Sequence, residues 1–353
     1  MPALPQPPAL PRVITYYQTH HTPSGKPISV LPLIRQAGGG ASVTHVIVAA
    51  IHINEDPAGL TLNDHAPSHP RFATLWAEMR VLQACGVKVL GMLGGAAQGS
   101  YARLDVKSPG ADRFEEYYRP LADLVRERGL DGLDLDVEEP MSLAGIVRLI
   151  DRLRADFGPG FLITLAPVAA ALLDRRRNLS GFDYDQLEAL RGREIAWYNA
   201  QFYNNWGDFR SAAMYEMLLV RGWPPEKIVV GLLTSPANGH GWVPWDALAT
   251  VLPLLAARHP RFGGVMGWEY FNSTPGGQER PWEWAQAMTA LVKGGRGRAV
   301  RGLDGAGESE QPAEEKKASE GLEEADPDEG RPGESPPVPA EFEYYSDGGR
   351  EEE

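Results

Sequence analysis

Between Val13 and Lys293 the chain alternates short β-rich runs with stretches whose apolar residues recur every three or four positions. The β-rich runs are VITYY (13–17), VTHVIVAAIHI (43–53), VKVLGML (87–93), GLDLDVE (132–138), FLITLAP (161–167), IAWYNAQFYN (195–204), KIVVGLL (227–233) and GGVMGWEYF (263–271). Helical patterns fall at 71–85, 111–128, 143–156, 210–221, 245–257 and 281–293, with less regular ones near 27–38 and 183–191. Eight strand–helix units in a row predict an α/β protein, a closed (β/α)8 TIM barrel. The alternative is an open doubly wound sheet. Such a sheet usually carries a glycine-rich phosphate turn after its first strand, and YYQTHHTPSG (16–25) is not one.

The fourth run departs from the others. In GLDGLDLDVEEP (129–140), Leu133, Leu135 and Val137 form one face of a buried strand, while Asp134, Asp136 and Glu138 form the other. Side chains alternate sides along a strand, so in a barrel the three acids face the axis and the three apolar residues face the helices. Asp131 is out of phase and is expected to anchor the start of the strand. Glu138 falls at the C-terminal end, the face on which barrel enzymes place their chemistry. Charged groups are rarely buried without partners, so an idle solvated acidic face is the weaker reading.

Two chemistries suit three stacked carboxylates. Oxygen ligands fit a hard metal ion, but Leu, Leu and Val occupy the spacers where a calcium loop has small polar residues and glycine. None of the eight histidines forms a ligand motif; His65 and His69 lie in a proline-rich loop. The second chemistry is acid catalysis. Crowded carboxylates cannot all ionise, so protons are shared and a terminal Glu can stay protonated near neutral pH. Paired carboxylates are the usual tools of glycoside hydrolysis.

Composition divides the chain. Residues 301–353 hold 18 acids against 5 bases, which accounts for the whole net charge of −13 and leaves residues 1–300 formally neutral. The segment GESEQPAEEKKASEGLEEADPDEGRPGESPP (307–337) has almost no large apolar residues, so a disordered acidic tail is expected over 295–353. A proline-rich N-terminal segment is expected over 1–11 and one catalytic domain over 12–294. With neither a signal-peptide pattern nor a membrane-length apolar run, and with Cys85 as the single cysteine, the expected compartment is the cytoplasm. The sequons at Asn178 and Asn272 match a pattern common by chance.

DGLDLDVE (131–138) resembles the D-G-x-D-x-D-x-E signature of family-18 glycoside hydrolases, which include chitinases and endo-β-N-acetylglucosaminidases. Asp131, Gly132, Asp134, Asp136 and Glu138 match all five specified positions. QFYNNW (201–206) is similar to the sixth-strand segment of class III chitinases, and GGVMGWEYFN (263–272) to the eighth-strand segment that supplies a tryptophan. GVKVLGMLGG (86–95) is similar to the third-strand Ser-x-Gly-Gly segment, with Met92 in place of the serine.

The resemblance implies substrate-assisted retaining catalysis, without cofactor or metal. By it, Glu138 protonates the leaving oxygen and the substrate's own N-acetyl carbonyl attacks the anomeric carbon, giving an oxazolinium. Asp136 orients the acetamido group, Asp134 shares a proton with Asp136, and Tyr203 bonds the acetamido carbonyl. Trp268 floors the sugar, and Gln201, Asn204 and Tyr16 complete substrate binding. Strand aromatics such as Tyr16 and Tyr203 are equally at home as core packing, and Trp206, Trp242 and Trp245 either stack on sugars or pack locally. His20 and His21 either line the cleft or are solvated.

The implied partners are N-acetylglucosamine-containing glycans; neither nucleic acid nor membrane is expected, and the protein is expected to be a monomer. Cutting of the GlcNAc–GlcNAc core of N-glycans is favoured by the expected compartment, with a chitinase as the alternative. A lectin-like barrel without catalysis is a further alternative, disfavoured because Glu138 is present.

Overall fold

Eight parallel strands close on themselves around a filled interior. In the computed structural model, which describes residues 10–34, 40–105 and 112–301, these are β1 (Arg12–Tyr17), β2 (His45–His52), β4 (Lys88–Gly94), β5 (Gly132–Asp136), β6 (Leu162–Leu165), β7 (Trp197–Gln201), β8 (Ile228–Leu233) and β9 (Gly264–Trp268). Each pairs with its neighbour in this order, and β1 pairs with both β2 and β9, which shuts the barrel. A two-residue strand, β3 (Thr61–Leu62), runs antiparallel to the end of β2 outside the barrel. All eight β-rich runs of the sequence therefore become barrel strands.

Period-two alternation sorts the side chains into two cores. Ile14, Ile47, Leu90, Trp197, Val229 and Met266 meet inside the barrel. Leu133, Leu135, Ile163, Val230 and Val265 point outward into the layer under the helices. There the helices bury the expected stripes. In α3 (Phe114–Arg128), Phe114, Tyr117, Tyr118, Leu121, Leu124 and Val125 are buried, and the helix ends at Gly129 in a left-handed conformation (φ 59°). In α4 (Leu143–Phe157), the Ser142 side chain caps the start by accepting from Gly145 N. The remaining helices are α1 (Ala73–Ala84), α2 (Ser100–Leu104), α5 (Tyr184–Arg191), α6 (Ala213–Arg221), α7 (Trp245–Arg258) and α8 (Trp282–Arg301).

Three sequence expectations need correction. The helix expected near 27–38 is absent among the described residues there; only a 3-10 turn forms at Leu31–Ile34. Pro27 and Pro32 lack N–H donors, and Ser29 Oγ and Val30 N donate to Glu78 of α1 instead. The sixth β-rich run ends as strand at Gln201 rather than 204, because Asn204 and Asn205 turn left-handed (φ 52° and 63°). The eighth run likewise stops at Trp268 rather than 271. Asp131 does anchor its strand, accepting from Val89 N, Gln83 Nε2 and Lys88 Nζ at 2.7–2.9 Å. The acidic segment 302–353 and residues 1–9 lie outside the described residues, and the described ones belong to one compact unit.

Candidate active site

The inward phase of β5 carries Asp134 and Asp136 up the barrel interior, and the chain beyond it places Glu138 at the mouth. Asp134 is fully buried and Asp136 nearly so, whereas Glu138 is half-buried. Asp134 is satisfied from three other strands. Tyr16 of β1 donates to its Oδ2 at 2.6 Å, while Thr164 of β6 (2.5 Å) and Asn199 of β7 (3.0 Å) donate to its Oδ1. Burial still raises its pKa above the usual carboxylate value, against the pull of these three donors.

Among the described residues, the Asp136 carboxylate has one donor. The Gln201 amide nitrogen lies 3.2 Å from Asp136 Oδ1, 3.1 Å from Glu138 Oε1 and 2.9 Å from the Ala166 carbonyl, so a single amide ties the two upper acids to the end of β6. Burial, then the nearby Glu138 and Asp134, push Asp136 well above the usual range. Burial also raises Glu138, while its bond from Gln201 opposes the rise. A single amide thus holds two neighbouring carboxyls whose protonated forms burial favours.

Tyr203 closes the inner cluster just past β7, buried, with a hydroxyl held protonated by burial and by the Asp136 and Glu138 charges. Trp268 is half-buried at the end of β9 and meets Tyr16 edge-on, ring centroids 5.6 Å apart. Trp206 and Trp242 pack against the inner cluster, whereas Trp245 begins α7 and packs against the outer core. The structure thus gathers Asp134, Asp136, Glu138, Gln201, Tyr203, Tyr16 and Trp268 at one end of the barrel.

Two of the residues named as substrate contacts hold other posts. The Tyr16 hydroxyl is spent on Asp134. Asn204 Oδ1 accepts from His240 N at 2.9 Å, and Asn204 N donates to the His240 carbonyl, so this side chain ties two loops together. His20 is buried against Tyr17 and Phe72, and His21 bonds the Arg71 carbonyl.

Thr164 and Asn199 were missed by the sequence reading. Both follow from phase: Asn199 lies two residues before Gln201 on β7, and Thr164 is the register partner of Asp134. Glu139 was missed as well. It is buried, and its two oxygens accept from Gly99 N and Tyr101 N, each at 2.8 Å.

The sequence model of Glycosyl hydrolases family 18 matches residues 12–244, all but the last barrel strand. The chain belongs to this family. Among solved family-18 structures, a fungal endo-β-N-acetylglucosaminidase is 49% identical with a TM-score of 0.77, over 81% of this chain and 100% of that one. A chitinase from Aspergillus fumigatus is 57% identical with a TM-score of 0.71, over 79% of this chain and 98% of that one. Chitinase 2 of Rhizopus oligosporus is 32% identical over 214 residues, 55% of this chain. That match spans only 36% of the Rhizopus protein. Within the family-18 frame, the buried carboxylate stack is the feature from which chemistry can be argued.

Proposed function

We propose that the protein hydrolyses the β-1,4 bond between N-acetylglucosamine units with retention, by substrate-assisted catalysis, and that it acts as an endo-β-N-acetylglucosaminidase on the core of N-glycans. The observation that carries the chemistry is the single Gln201 amide bridging Asp136 and Glu138 above a fully bonded Asp134. Glu138, half-exposed with a raised pKa, is protonated where it meets the leaving oxygen. An enzyme nucleophile needs a second carboxylate reaching the anomeric carbon. In this reading the nucleophile is the substrate's own acetamido oxygen, and Asp136 serves that group instead of attacking the anomeric carbon. Asp136 supports that group by accepting its N–H and balancing the positive charge that develops as the ring closes. Tyr203 donates to the acetamido carbonyl from the opposite side, and Trp268 gives the sugar an apolar floor.

This choice of substrate is supported by likeness along the whole barrel to the fungal endo-β-N-acetylglucosaminidase, which this chain covers end to end. The higher identity to the Aspergillus fumigatus chitinase supports a second reading, cleavage of chitin oligomers. Purified protein should be given a high-mannose glycopeptide and GlcNAc oligomers in parallel, with products resolved by mass. Release of a glycan ending in one GlcNAc supports the first reading, and shortening of the oligomers alone supports the second. Inertness toward both would reject hydrolysis.

A thiazoline analogue of the cyclised GlcNAc should inhibit competitively, binding at least about 10²-fold more tightly than substrate, since it mimics an intermediate that only neighbouring-group attack makes. A glycosyl-enzyme trapped on any carboxylate would contradict this route.

A further inference from the structure

Glu139 is a buried acid at the barrel mouth for which the proposed chemistry has no use. One residue beyond Glu138, it turns away from the axis, and each carboxylate oxygen receives a backbone N–H, from Gly99 and from Tyr101. These charge-assisted bonds hold the far end of a short strap, Gly95–Gly99, that leaves the end of β4. The near end is held by Gly95 N donating to the Asp136 carbonyl at 2.9 Å. Both feet therefore stand on the β5 chain, with Glu138 between them.

The strap begins against the reacting groups. A Cβ placed on Gly95 would lie 3.5 Å from Asp136 Oδ2 and 2.9 Å from Met92 Cε, and Gly94 and Gly95 both take left-handed angles near 90°. It is the left-handed backbone, and not the contact with Asp136, that calls for glycine here. Ser100 Oγ accepts from Ile53 N at 3.0 Å, and the Tyr101 hydroxyl donates to the Leu93 carbonyl at 2.7 Å, so the ground behind the strap is firm. Between the feet Ala96, Ala97 and Gln98 are exposed at the mouth.

Resting on the hydrolytic reading above, we propose that Glu139 is a positioning residue: by pinning the strap Gly95–Gly99 it builds the cleft wall that reads sugar units beyond the reacting GlcNAc, with Gln98 as the contacting side chain. Loss of the carboxylate frees two backbone donors and lets the strap swing, which weakens long glycans more than short ones.

Binding of a GlcNAc hexamer and a GlcNAc trimer to the Glu138→Gln protein, measured by titration calorimetry, tests this without turnover. Adding Glu139→Ala should weaken the hexamer by about tenfold and the trimer by less than about twofold, a difference near 1.4 kcal/mol or less in length discrimination. Glu139→Gln, which keeps one acceptor oxygen, should fall between. In the active enzyme, Glu139→Ala should raise KM for the long substrate far more than it lowers kcat. Gln98→Ala, an exposed change that spares the fold, should weaken the hexamer selectively by about threefold, and it decides alone if Glu139→Ala does not fold. Equal losses for both lengths, or none, would overturn the role of the strap. Failure of the Glu138→Gln protein to bind either oligomer would also overturn the strap as a reader of GlcNAc units, whereas the hydrolytic reading on which it rests falls only if the glycopeptide and the oligomers are both left uncut.

Discussion

Glu138→Gln should lower hydrolysis by between about 10² and 10⁴-fold, the usual worth of a positioned general acid, while leaving glycan binding and the fold in place. The amide is nearly isosteric with the acid and can still accept from Gln201, so the bridge across the upper carboxyls survives. What it cannot do is donate the catalytic proton with the strength of a carboxylic acid. Turnover at the wild-type rate would remove Glu138 from the role of acid. The pH profile supplies a second reading of the same group. Burial raises the Glu138 pKa, so activity should persist toward neutrality and fall along an alkaline limb as Glu138 loses its proton.

Asp136→Asn should lower kcat by about 10² to 10³-fold, the cost of removing one preorganised electrostatic contact from charge that develops in the transition state. Asp134→Asn should cost far less, because Asp134 acts through Asp136 and its own oxygens are occupied by Tyr16, Thr164 and Asn199. Full activity in both variants would make the stack structural.

The same Asp136→Asn change should raise the melting temperature at pH 7. Asp136 has a folded pKa well above its value of about 3.9 in the unfolded chain. The stability linked to its proton is therefore fully present below about pH 4 and is lost as pH rises through the folded value. At neutral pH the wild type bears that loss, whereas the amide carries no charge. The gap should close near pH 4. A variant that melts below wild type at pH 7 would show that the Asp136 carboxylate stabilises the fold instead of straining it.

The alternation of Leu133, Leu135 and Val137 with Asp134, Asp136 and Glu138 was enough to put the acids inside a barrel. A side chain's face is a local property: it follows from the two-residue repeat of the strand and needs no knowledge of neighbours. The same reasoning located the eight strands and Asp131 as an anchor. It extends in principle to Asn199, which shares the phase of Gln201 on β7.

What each buried acid touches was decided only by closure of the barrel. Tyr16 is 118 residues from Asp134, Asn199 is 65 away and Thr164 is 30 away, and only closure of the barrel, with the register of its strands, brings their polar atoms onto one carboxylate. Register is set by the packing of the whole sheet and cannot be read from any single strand. Likewise alternation sets Glu139 out of phase with Glu138 but does not show what Glu139 meets, the backbone N–H groups of Gly99 and Tyr101. The strand ends at Asp136, and past that point the path of the chain depends on the loops it meets. Tyr16 and Asn204 illustrate the same limit. The sequence marked both as polar groups near the site, but their hydrogen-bond partners come from elements distant in the chain, and those partners direct Tyr16 to Asp134 and Asn204 to a neighbouring loop.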